Sequence, residues 1–112
     1  MPEEEKYTIQ SPLKKWPGRV ELVHPDAFRG THWNMWRQCV SGHERHETIN
    51  RLMGYAGLEF IERSAGTWAV EGLPLAEVKS WETKPDEEVI KVISWLGREF
   101  QEYIRAVTDP KE

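Results

Sequence analysis

The sequence has one cysteine, Cys39, only short apolar runs, and fewer basic than acidic side chains. Each shortage removes a class of function. A single thiol cannot close a disulfide within the chain, which fits a reducing compartment. The apolar runs are only a few residues long, far below the roughly 18 needed to cross a bilayer. The acidic start, Glu3-Glu4-Glu5, lacks the basic-then-apolar order of a secretory signal. The expectation is therefore a cytoplasmic chain with no membrane segment. With 15 Lys and Arg against 19 Asp and Glu, the formal net charge is -4. That balance opposes phosphate backbones, so nucleic acid is not an expected partner. The densest basic group, Lys14, Lys15 and Arg19 beside Trp16, is offset by Glu3 to Glu5 and reads as a solvated surface segment.

Signatures of catalysis are scarce as well. There is no Gly-rich phosphate loop and no nucleophile elbow. Carboxylates sit in solvated runs, such as Glu3 to Glu5 and Asp86 to Glu88, rather than as acid/base pairs. No catalytic residue and no cofactor is expected. Cys39, His43 and His46 are spaced by four and three, with Glu47 following, and a continuous helix would gather them on one face suited to zinc. Ser41-Gly42 breaks such a helix. The run His43-Glu44-Arg45-His46-Glu47 places its histidines three apart, whereas the zinc-protease helix needs four. Loop or surface histidines are thus the primary reading, with Cys39 a small apolar filler. The alternative is a small metal-binding enzyme or regulator that uses Cys39, His43 and His46.

What is present suits one ordinary domain. The chain has 112 residues, 38% hydrophobic and 30% charged, enough to bury roughly two-thirds of its unfolded surface without a staple. Residues 1–18, rich in Pro and Glu, read as an N-terminal arm, 19–108 as a single globular domain and 109–112 as a tail. Arg19 to Val23 and Thr67 to Glu71 carry the alternation and flanking Pro or Gly of short strands that can pair. A helix is expected from Asp26 toward Val40, with Trp33, Trp36 and Val40 at helical spacing and Ser41-Gly42 as a stop. A second is expected from about His46 to Arg63, with Ile49, Leu52, Met53, Ala56 and Phe60 on its buried face. Gly54 and Gly57 there weaken the helix or admit a close neighbour. Residues 72–83 read as a connection with little regular structure. The last helix, about 86–107, has a capping box at Thr83 and Asp86, Pro85 in its first turn, and a stripe of Val89, Val92, Ile93, Leu96, Phe100, Tyr103, Ile104 and Val107. The predicted fold is α+β, mainly helical with about three helices and a minimal two-stranded sheet.

Six tryptophans are many for this length. Trp33, Trp36 and Trp68 are assigned to the core. Trp16, Trp81 and Trp95 are the candidate partner-binding residues, because tryptophan is enriched where interfaces gain most of their energy. Trp95 falls off the apolar stripe at 100° per residue. It should point away from the core, unless the 72–83 connection covers it.

The order of motifs resembles that of small accessory proteins of tailed bacteriophages, including tail-assembly chaperone-like proteins. The pieces are Trp16-Pro17-Gly18 leading into Val20-Glu21-Leu22 and Pro25, the middle helix, Trp68 with Gly72-Leu73-Pro74, and the final helix with Val92-Ile93-Ser94-Trp95-Leu96-Gly97. The resemblance implies a non-enzymatic protein whose partners are tail components or copies of itself, acting in the host cytoplasm or within the virion. It brings no catalytic residues with it.

Overall fold

The computed structural model describes residues 6–80 and 87–108. The capping box expected at Thr83 to Asp86, with Pro85, and the candidate Trp81 lie outside the described residues, as does the side chain of Val89. The fold is α+β and mainly helical, with a three-stranded antiparallel sheet in the order β1-β2-β3. The two expected strands are β2, Gly18–Val23, and β3, Thr67–Val70, and they pair from Gly18 opposite Val70 to Glu21 opposite Thr67.

The third strand, β1, is Lys6–Gln10, inside the segment read as an arm. It pairs with β2 from Lys6 opposite Val23 to Gln10 opposite Arg19. The physical reason is local alternation. Ile9 faces inward and is buried, while Lys6, Thr8 and Gln10 are exposed. Tyr7 lies 4.9 Å from the ring of Tyr103, and the Tyr103 hydroxyl donates to the Val23 carbonyl at 2.5 Å.

The first expected helix splits into a turn and a later start. Pro25–Ala27 forms one 3-10 turn, in which His24 Nδ1 accepts from the Asp26 amide. Helix α1 then spans Gly30–Ser41, and the Arg29 amide donates to His32 Nδ1 at its entrance. Gly30 therefore lies in the first turn, where its missing side chain does little harm. Helix α2, Ile49–Arg63, begins three residues later than expected because Thr48 caps it, its hydroxyl accepting from the Arg51 amide. Ile49 is consequently 61% exposed rather than buried. The 72–83 connection contains one short helix, α3, Leu75–Ser80, which inserts Val78 fully into the core. Helix α4 spans Glu87–Thr108.

The core lies where α2 and α4 pack on each other, and their contact is the most extensive between helices. A Cβ added at Gly54 would stand 2.6 Å from the Ile93 carbonyl oxygen, and one at Gly97 would stand 2.2 Å from that of Asn50. Both glycines let the two backbones approach. Leu96 and Phe100, expected at the centre of the stripe, are fully buried. Trp36 stacks on Phe100 at 5.6 Å, and the Phe60 ring meets Trp36 edge-on at 5.7 Å.

Candidate functional site

Two side-chain clusters carry enough polar chemistry to be considered. The first is at the junction of α1 and α2. Gly42 ends α1 immediately after Ser41, so His43 and His46 belong to the following turn and not to a helix shared with Cys39. The turn folds back on α2. His43 Nε2 lies 3.1 Å from Glu59 Oε1, whose other oxygen, Oε2, pairs with Arg63 at 3.2 Å. His46 stacks on Tyr55 at 4.6 Å and 19°.

Cys39 is fully buried, and the Glu59 carboxylate is close enough to act on its thiol. Burial first, then the negative charge of Glu59, push its thiol up from 9.0 to about 11. A nucleophilic cysteine needs the opposite, a positive neighbour that stabilises thiolate. Here the groups run thiol, carboxylate, imidazole: Glu59 stands between the His43 base and the sulfur, and burial together with its charge raises the thiol. Among the described residues no group of three or more His, Cys, Asp and Glu is arranged to hold a metal ion. His46 faces Tyr55 rather than completing a set with Cys39 and His43. This cluster fastens the α1–α2 turn onto α2.

The second cluster is the loop between β1 and β2. Ser11 organises it: its hydroxyl donates to the Trp16 carbonyl at 2.7 Å and accepts from the Leu13 amide at 3.2 Å. Below it, the Ser11 amide donates to the Gly18 carbonyl at 2.9 Å, and the Glu71 amide to that of Pro17 at 2.8 Å. The loop is thus held from inside and from the end of β3. Trp16 is half-buried, packs on the core and lies against the Gly72 backbone. Lys15 Nζ lies 4.9 Å from the centre of the indole. Leu13, Lys14, Lys15 and Trp16 form a cleft with Lys91 of α4. No carboxylate lines it among the described residues.

Of the three tryptophans singled out as partner-binding, Trp16 is accessible at a cleft and Trp81 lies outside the described residues. Trp95 is a correction. It is 3% exposed, so it is part of the core and not an anchor on the surface. The buried arc of α4 extends from Trp95 on one side to Gly97 on the other, about 200° at 100° per residue, because the helix is covered on two sides. Of the tryptophans assigned to the core, Trp36 is buried, while Trp33 and Trp68 are half-buried against it, with Trp68 Nε1 donating to the Leu73 carbonyl at 2.6 Å. Sequence reasoning missed Lys91 as a member of the cleft. It also treated Lys14 and Lys15 as mere solvated charge, although their adjacency to Trp16 was a visible signal. No family model matches the chain, and no curated protein and no solved structure matches it either.

Proposed function

We propose that this chain is a non-enzymatic protein-binding module and that the Leu13–Trp16 loop with Lys91 is its contact point. The observation that carries the reading is the loop itself. Its internal hydrogen bonds present a half-buried indole among three lysines without requiring the loop to order on binding. The thiol of Cys39, raised by burial and by the nearby Glu59 charge, weighs against a cysteine nucleophile. The motif order supports a narrower version, an accessory protein of a tailed bacteriophage whose partner is a tail component. It would act in the host cytoplasm or remain in the virion.

Affinity capture with the wild-type chain and with Trp16→Ala, followed by mass spectrometry, tests the reading. The expected result is a defined partner lost in the variant, while both chains melt at similar temperatures. A tail-module protein among the captured species supports the narrower version, and capture of this chain alone indicates self-association. Equal capture by both chains removes the cleft from the proposal.

A further inference from the structure

The charge of the cleft is at odds with the charge of the chain. The whole sequence carries a net -4, yet the charged side chains lining this cleft among the described residues are Lys14, Lys15 and Lys91. Two come from a loop near the start of the chain and the third from its last helix, so the fold and not sequence proximity brings them together. Beside them stand two apolar groups, Leu13 and the indole of Trp16. Lys15 lies close to the indole, which leaves Lys14 and Lys91 as the natural ion-pairing positions for an incoming ligand.

Resting on the protein-binding reading, we infer that the cleft takes a short acidic segment of a partner protein, with carboxylates against Lys14 and Lys91 and an adjacent apolar side chain against Leu13 and Trp16. Three features select this occupant. Complementary charge draws in an anionic chain and fixes its register. The apolar groups reward a side chain that a bare phosphate lacks. The acidic remainder of the surface repels a long polyanion extending beyond the cleft, which disfavours nucleic acid.

The test uses the full chain and a short synthetic peptide of alternating Asp and Leu, followed by fluorescence anisotropy of the labelled peptide at several salt concentrations. Binding is expected to weaken as salt rises and to fall roughly tenfold or more in the double variant Lys14→Glu with Lys91→Glu. A matched peptide of alternating Lys and Leu should not bind. Because both lysines are exposed, the fold should survive, and Lys14→Gln with Lys91→Gln serves as a second variant should charge reversal disturb it. Peptide binding unchanged in both double variants overturns the inference, as does absence of binding. Tighter binding of a single-stranded oligothymidylate through the same lysines overturns the ligand class. Absence of peptide binding by the wild-type chain, with Trp16-dependent capture intact, sinks this inference alone. Capture that ignores Trp16→Ala sinks the broader reading.

Discussion

Trp95 has an indole N–H that is shielded from water and has no hydrogen-bond partner among the described residues. A buried donor left unpaired costs about 1 to 3 kcal/mol. Trp95→Phe removes that donor but also loses ring area, and the two effects oppose each other at similar size. The variant should therefore unfold within about 1 kcal/mol of wild type, whereas Trp95→Ala should lose about 3 to 5 kcal/mol. Urea denaturation reads both, and a large loss in the Phe variant would mean that the N–H is satisfied. A second residue-scale effect concerns Cys39. Below pH 9 its thiol keeps its proton whether the chain is folded or not. Between 9.0 and about 11 the unfolded chain ionises first, so stability falls as pH rises through that window. The slope is at most about 1.4 kcal/mol per pH unit. Burial also raises Tyr103, from an ordinary 10.0, so its own loss begins later. Denaturation midpoints measured against pH should begin to fall near pH 9 in the wild type and nearer 10 in Cys39→Ala. The same onset in both chains would clear the thiol of responsibility.

At the scale of elements, glycine and alanine stand in places that invite opposite exchanges. The end of α2 closes with the Gly66 amide bonded to the Ile61 carbonyl and the Ala65 amide to that of Glu62, a termination that favours glycine at the position Ala65 occupies. Ala65 accordingly has φ 58°. Ala65→Gly should stabilise the chain by about 1 kcal/mol by relieving the left-handed conformation. At Gly97 the exchange runs the other way. Alanine gains up to about 1 kcal/mol of helix propensity, but its Cβ would press on the backbone of Asn50, and forced overpacking costs about 1 to 3 kcal/mol. Net destabilisation of Gly97→Ala is the expected outcome, and thermal melts of both variants beside the wild type read the two effects. A gain there would show that α2 and α4 can separate freely. The pairing of β2 with β3, the stop at Gly42 and the long stripe of α4 were legible because each rests on local pattern. Strand β1 was hidden by its Pro- and Glu-rich surroundings, although Tyr7 and Ile9 alternate with polar residues. Helix α3 is too short to show a period. The exposure expected of Trp95 failed because a single stripe describes a helix covered on one side, and α4 is covered on two.

At the scale of the whole molecule, α4 is fastened to strands that precede it by far in sequence. Among the described residues, α4 supplies seven buried positions, Val92, Ile93, Trp95, Leu96, Gly97, Phe100 and Tyr103, and the Tyr103 hydroxyl reaches the Val23 carbonyl in β2. The cleft follows the same logic, and no sequence window contains both Trp16 and Lys91. Its composition became legible only with the fold, since proximity across the chain is what local pattern lacks. Removal of residues 87–112 should leave a chain with no stable tertiary structure, seen as loss of dispersed amide resonances and rapid proteolysis; a protected remainder would show that the sheet and α1–α2 stand alone. The Tyr103–Val23 bond has a further consequence during synthesis. The hairpin of β1 and β2 leaves the ribosome before the helix whose Tyr103 it meets has been translated. Until α4 has cleared the exit tunnel, Tyr7 and the Val23 carbonyl lack the ring and hydroxyl of Tyr103 that they meet in the fold. Completion of the core therefore waits for release of α4, and the interval before it is when the nascent chain is most open to chaperones.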